Sequence, residues 1–254
     1  MWMVSAKLFS LMIFLTVALV ISQVSPASAD DSQKAAQLVE RARLTLENFM
    51  NDIDMGAFRD LLKQAEGVLI APRLWKGALI LGGSGGNAVL VVRDKHTGQW
   101  SEPAFYTIGG ASFGFQIGGQ ASEVILLAMM DRGVSSLLAN SIKLGGDVGV
   151  AAGPVGAGVA AATSNLSADI LSFARSKGLY AGFSLDGAVV AVRGGLNGAY
   201  YGKKVSPTDI LVRHDVKNPQ ASGLIEEVSK SAVQKSAGME YFFGREMSWP
   251  LHVG

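Results

Sequence analysis

Few side chains in this chain stand in arrangements that do chemistry. Gly82-x-Ser84-x-Gly86 matches the GxSxG elbow that presents a nucleophilic serine, and Asp209 and His214 follow in the chain order of a hydrolase triad. That elbow needs a strand, then the serine, then a helix whose N-terminus helps build the oxyanion hole. Here Asn87 to Val92 reads as a second strand, so the cluster is predicted to be a flexible hairpin loop. Catalysis by Ser84 is thus the weaker alternative. His96, His214 and His252 are far apart and none has a ligand spacing such as HExxH, so no metal is expected. The chain has no cysteine, which excludes thiolate nucleophiles, CxxC pairs, thiolate metal sites and lipid attachment through cysteine. No P-loop lysine follows a glycine cluster, and no complete GxGxxG opens a helix after a strand. Cofactors are therefore not expected. The formal charge of +1 argues against a nucleic-acid binder, and nothing marks one carboxylate pair above the rest.

The elements that must position any site are easier to read. Lys7, an apolar run from Leu8 to Ile21 and Ala27-Ser28-Ala29 form the pattern of a secretory leader, with cleavage expected after Ala29. Residues 30–254 then suit a single domain, and without disulfides its core must hold it. Of 31 glycines, 26 fall between Gly67 and Gly202. This divides the domain into N-terminal helices over 30–66, a glycine-rich sheet over 67–202, and C-terminal helices and tail over 203–254. Ala35, Leu38, Val39, Ala42, Leu46, Phe49 and Ile53 recur at helical spacing, with Asp31 or Ser32 as cap. A second helix is predicted from Met55 to Ala65. Both helices are read as packing on the sheet; the sharper alternative lays the first on a membrane surface.

Strands are predicted at Gly67 to Ala71, ended by Pro72, then at 78–81, 88–92, 100–108, 112–117 and 124–129, with a short helix between Val134 and Leu144. The short connections favour antiparallel pairing. Gly145, Gly149 and Gly153 have the spacing of packed membrane helices, but Asp147 lies inside the run, Pro154 breaks a helix, and Val148, Val150, Val155 and Val159 favour a strand on either side of a Gly153-Pro154 turn. The run Ser176 to Gly202 alternates over Leu179 to Ser184, turns at Leu185-Asp186-Gly187 and returns over Ala188 to Val192, which predicts a central hairpin. Ser206-Pro207-Thr208-Asp209 signals a helix start, and a last amphipathic helix is predicted over 218–237. The fold class is α+β: a largely antiparallel, glycine-rich sheet or partly closed barrel with flanking amphipathic helices.

Gly67-Val68-Leu69-Ile70, Trp100-Ser101-x-Pro103-Ala104-Phe105, Gly114-x-Gln116-x-Gly118, Gly153-Pro154-Val155-Gly156, Ser176-Lys177-Gly178-Leu179-Tyr180-Ala181-Gly182 and Asn197-x-x-Tyr200-Tyr201-Gly202 follow one another in an order that resembles the SYLF domain. The resemblance covers roughly Ala35 to Leu211. It implies a lipid-binding module with no catalysis. Eukaryotic members are similar in binding phosphoinositides, and some bind actin. With a leader and no SH3 or FYVE domain, this chain looks like the bacterial exported kind, periplasmic or secreted, where a phospholipid or membrane surface is the implied partner and actin is not.

A near-neutral protein that binds anionic lipid must concentrate its positive charge, each basic residue contributing about 1 kcal/mol near the surface. The candidate residues are Arg73 and Lys76 beside Trp75, Arg41 with Arg43, Lys203 with Lys204 after the tyrosine pair, and Lys177 within the strongest motif. An indole at headgroup level between two cations favours the first cluster. Each cluster also has a plain reading as solvated loop charge. The alternative function is a structural or protein-interaction module of the cell envelope.

Overall fold

The computed structural model describes residues 27–78, 82–112, 118–154, 168–176 and 185–233. Along the chain run α1 (Ala27–Asn51), a 3-10 turn (Ile53–Met55), α2 (Gly56–Leu62), β1 (Gly67–Ala78), β2 (Gly82–Val92), β3 (Ala104–Ser112) and β4 (Gly118–Ala128). Then come α3 (Asp131–Leu137), β5 (Ser141–Lys143), β6 (Val150–Ala152), β7 (Ile170–Arg175), β8 (Val189–Val192), α4 (Gly194–Tyr201), α5 (Pro207–Leu211), a 3-10 turn (Pro219–Ala221) and α6 (Ser222–Val233). The strands form one eight-stranded sheet in the order β5-β8-β3-β2-β1-β4-β7-β6, curled into half a barrel. All neighbours are antiparallel except β6 and β7. The fold is α+β, as the sequence implies.

The apolar runs are continuous because the middle of the sheet is covered on both faces. On one face Val68, Ile70, Val89, Val91, Phe105, Ile125, Leu127 and Phe173 pack under α1, α2, α4 and α6. On the other, Leu69, Leu90, Tyr106, Ile108 and Leu126 meet Leu137 of α3 and Ile210 and Leu211 of α5. The Tyr106 hydroxyl donates to the Leu137 carbonyl at 2.7 Å, and its burial pushes the phenol well above its ordinary pKa. Ala35, Leu38, Val39, Ala42, Leu46 and Phe49 bury the predicted stripe of α1, but Ile53, expected to continue it, lies past the helix end in the 3-10 turn and is 85% exposed. Phe49, Phe58 and Phe173 stack in a chain with ring centroids 5.3 and 5.2 Å apart.

Several expectations are corrected. Pro72 does not end β1, which continues to Ala78 through a bulge. The cluster Gly82 to Gly86 is no loop: it is the first half of β2, paired with Trp75 to Ala78 on one side and Gly109 to Ser112 on the other. Residues 134–144 divide into the end of α3 and strand β5, with Ile142 facing the core. The return strand β8 is not central: it lies second from an edge, and β3 and β5 take both its sides. The run 179–184 predicted to pair with it lies outside the described residues, as do residues 1–26 of the leader expected over 1–29, the predicted strand residues 79–81 and 113–117 and the tail from 234. α1 begins at Ala27, ahead of the caps expected at Asp31 or Ser32. Residues 194–201 form α4, which sequence periodicity did not mark. Its glycines disfavour a helix, but the Asn197 side chain accepts the Phe105 N–H at 2.8 Å, the Tyr201 hydroxyl donates to the Pro103 carbonyl at 2.6 Å, and Gly202 ends the helix with φ of 67°.

The capping box at the start of α5 is present as read. Ser206 Oγ accepts the Asp209 N–H at 3.2 Å, and Asp209 accepts the Ser206 N–H at 2.8 Å. Val150 to Ala152 is a strand, as expected before Gly153-Pro154, whereas the described turn of this run lies earlier, at Gly145 with φ of 79°; the strand expected after Pro154 lies outside the described residues. Among the described residues, no helix is long and apolar enough to cross a membrane.

Candidate functional site

β1 carries one residue more than each neighbour. Against β2 the register shifts between Ile70 and Trp75, and against β4 between Ala71 and Leu74. Pro72 sits in this interval, where its missing N–H costs the ladder nothing. The bulge throws the Arg73 backbone toward β2, so close that a Cβ on Gly86 would lie 2.3 Å from the Arg73 carbonyl oxygen. It also re-aims the side chains that follow. Arg73 and Trp75 both stand exposed, the guanidinium 5.4 Å from the indole centroid.

α1 crosses beside this bulge. Leu38, Arg41, Thr45 and Asn48, at helical spacing, form one stripe that with Leu44 makes the opposite wall of a groove of about 600 Å³. Pro72, Arg73, Trp75, Gly86, Asn87 and Glu123 make the other wall. Glu123 is the groove's carboxylate, and it is already neutralised: it accepts Asn48 Nδ2 at 3.2 Å and Arg175 Nη1 at 3.2 Å, while Arg175 also lies 3.4 Å from Asp52. Among the described residues neither Arg41 nor Arg73 is in an ion pair; Arg41 reaches only the Gln37 amide at 3.5 Å. Two apolar side chains flank these cations, Leu44 at 43% exposure and Trp75 at 53%. The groove therefore offers two cations with unfilled donors beside an apolar rim, an arrangement suited to an amphiphilic anion.

The predicted site residues separate accordingly. Arg41, Arg73 and Trp75, from two different clusters, come together. Arg43 points away: it pairs with Glu40 at 2.7 Å and Glu47 at 3.2 Å, holding the Glu40 carboxyl below its ordinary pKa, and lies against Gly223 of α6. Lys76 lies on β1 with a side chain outside the described residues, and Lys177 is outside them altogether. Lys203 and Lys204 are exposed beyond α4, where the Lys203 ammonium donates to the Asp215 carbonyl at 3.2 Å. Leu44, Asn48, Asn87 and Glu123 were not singled out, since no local pattern joins residues so distant in the chain. For Asn48 the one available signal was its place on the helical stripe of Arg41.

Ser84 sits within β2 with no helix after it, its hydroxyl 3.4 Å from the Gly110 carbonyl. Asp209 is engaged with Ser206 and, at 2.9 Å, with Arg213, and His214 lies 3.6 Å from Asp94. None of the three is arranged as an elbow triad requires. Among the described residues no cluster of histidine and carboxylate side chains could hold a metal.

A second hollow, of about 520 Å³, is lined by Glu102, Lys217, Asn218, Pro219, Ser222, Ile225 and Glu226. Burial raises the Glu102 pKa above its ordinary value, although its carboxylate accepts the Asn218 N–H at 3.2 Å. A raised carboxyl favours the protonated form in the native state, so native stability falls as pH rises from the unfolded value through the folded one. Glu102→Gln is expected to raise the melting midpoint at pH 7 and to leave it unchanged near pH 4, as thermal scans at both values would register. Its two carboxylates suit this hollow poorly to an anion.

The model of the family described as "Ysc84: Las17-binding protein actin regulator" matches residues 109–231. LAS seventeen-binding protein 3 of Saccharomyces cerevisiae is 31% identical over 185 residues, covering 71% of this chain and 39% of its own length. Protein YSC84 of the same yeast is 32% identical over 176 residues, 67% of this chain and 37% of its own. Human SH3 domain-containing YSC84-like protein 1 is 29% identical over 199 residues, 77% of this chain and 57% of its own. The chain thus spans from under two fifths to under three fifths of the length of these relatives. Its matched strands and helices include β4, β7, β8 and α4, which carry the sheet and its covering helix. The chain belongs to the Ysc84, or SYLF, family.

Proposed function

We propose that this chain binds phospholipid, without catalysis, through the groove between α1 and the β1 bulge. The observation that carries the reading is the convergence of Arg41 and Arg73, exposed and outside any ion pair among the described residues, beside Trp75 and Leu44. A phosphodiester would accept from both guanidinium groups. The indole would lie at headgroup depth, with its apolar ring among the first methylenes. Glu123 does not oppose this, because Arg175 and Asn48 already occupy its oxygens.

The leader pattern over residues 1–29 supports an exported protein, periplasmic or secreted, with cleavage after Ala29; N-terminal sequencing of the exported chain tests that position. In such a compartment a membrane phospholipid is the expected amphiphilic anion, and actin is not an expected partner. The rival reading is a protein partner. The yeast relative and the family, both named for binding Las17, favour it.

Co-sedimentation of residues 30–254 with vesicles of rising anionic content separates the two. Bound protein is expected to increase with anionic lipid and to fall severalfold between low and high salt, as the Debye length shrinks from about 30 Å at 0.01 M to about 3 Å at 1 M. No vesicle binding, with a salt-insensitive complex of defined size instead, would transfer the function to a protein partner.

A further inference from the structure

The glycines that the sheet uses beyond its core make a floor next to the groove. In the ladder, Ala121 pairs with Trp75, Trp75 with Gly85, Gly85 with Gly109, and Gly109 with Val189. Directly opposed residues share a face, so these five form one row across β4, β1, β2, β3 and β8. It is the helix-covered face, since Gly85 stands an even number of residues along β2 from Val89 and Val91 of the core beneath α1. The described helices do not reach this far: Gly85 is exposed, and Trp75 and Val189 are 53% and 39% exposed. The next row outward is Gly119, Gly77, Gly83 and Ala111, again almost without side chains by sequence. From Trp75 to Val189 the floor crosses three strand spacings, about 14 Å at about 4.8 Å each.

The row toward the core borders the floor with two polar side chains whose oxygens are engaged. Thr107 Oγ1 donates to the Gly86 carbonyl at 3.0 Å, and the Asn87 side chain accepts Arg193 Nη1 at 2.8 Å. The backbone groups of the floor are taken up by ladders on both sides. With its ladder bonds made, the floor itself offers an occupant apolar contact and no open strand edge, which disfavours a peptide strand. One end of the floor, at Trp75, opens into the groove that holds Arg41 and Arg73.

We infer that this glycine floor seats one acyl chain of the lipid whose phosphate binds at Arg41 and Arg73, so that the protein holds a single amphiphile and does not merely touch a membrane. The inference rests on the phospholipid reading of the groove. Trp75 and Val189 are the two ends of the seat, and the glycines are there because a side chain at either central position would fill it.

The test uses residues 30–254 and two soluble probes, inorganic phosphate and monomeric dodecyl phosphate, in calorimetric titrations. Wild type is expected to bind dodecyl phosphate one to one and at least about tenfold more tightly than phosphate. Gly85→Leu and Gly109→Leu fill the floor without a clash, since an added Cβ meets nothing nearer than 4.0 Å at Gly85 and 3.7 Å at Gly109. Each should remove most of the chain's increment while phosphate affinity stays within about twofold. Val189→Ser, which adds no bulk, should weaken dodecyl phosphate alone.

Dodecyl phosphate bound no more tightly than phosphate by wild type overturns the seat. So does an increment untouched by all three variants; if phosphate is then still lost on Arg41→Gln with Arg73→Gln, the groove reading survives alone. Conversely, an increment lost in the leucine variants but indifferent to the arginine changes supports the seat and removes the arginines from it.

Discussion

Gly86→Val is expected to lower the unfolding free energy by about 3 kcal/mol, at the upper end of the cost of overpacking a close contact, and to abolish binding in the groove. Its Cβ would stand 2.3 Å from the Arg73 carbonyl oxygen and 3.2 Å from the Leu74 Cα, both backbone atoms that no rotamer change can move aside. The bulge in β1 must then flatten or separate from β2, and either response swings Arg73 and Trp75 out of register. Against a typical total of about 5–15 kcal/mol, such a loss is large. Gly85→Val is the control: its neighbouring position has an open Cβ site, the nearest atom being the Ile108 carbonyl oxygen at 4.0 Å, and a β-branched side chain suits a strand. Urea denaturation should show the Gly86 variant with a lower midpoint and the Gly85 variant at or above wild type. Equal midpoints for the two would mean that the bulge tolerates a side chain, and the account of how the site is shaped would fail.

The same glycines show where sequence reading stopped. A run such as Gly82 to Gly86 reads as a loop because glycine weakens a strand and packs nothing. In the sheet it is a strand because partners on both sides supply the ladder, and because Arg73 approaches too closely for any other residue at position 86. Pro72 likewise reads as a terminator until the bulge removes the ladder's need for a donor there. Signals contained in a few neighbouring residues survived: the apolar stripe of α1, the capping box of α5, and the apolar runs of β1, β2 and β4. Signals that depend on distant partners did not. α4 is held by Phe105 and Pro103, nearly a hundred residues earlier, against its own glycines. β8 reads as one arm of a hairpin because a turn at Asp186-Gly187 precedes it, whereas its actual neighbours are β3 and β5.

The site was legible in parts and illegible as a whole. Arg41, Arg73 and Trp75 stood out as cations and an indole in suitable company, but as members of two separate clusters. Arg41 and Arg43 are adjacent in sequence, yet they project from different stripes of α1, one into the groove and the other into ion pairs with Glu40 and Glu47 under α6. Only the crossing of α1 over the bulge decides which of them belongs with Arg73, and that crossing is set by packing among Leu46, Phe49, Phe58 and Phe173.

The largest expected effect on binding follows from that crossing. Each arginine near an anionic surface contributes about 1 kcal/mol, so Arg41→Gln and Arg73→Gln together should weaken binding by about 2 kcal/mol, roughly thirtyfold. Both residues are exposed, and the substitutions break no ion pair among the described residues, so the fold should be kept, which an unchanged thermal midpoint would verify. Lys203→Gln with Lys204→Gln removes the same formal charge from another part of the surface, where the Lys203 ammonium serves a carbonyl of the loop after α5. The decisive measurement is the affinity of these two double variants for vesicles of one anionic composition at low salt. A roughly thirtyfold loss for the arginine pair and less than about twofold for the lysine pair is the predicted result; equal losses, or none for the arginines, would contradict the groove as the lipid site.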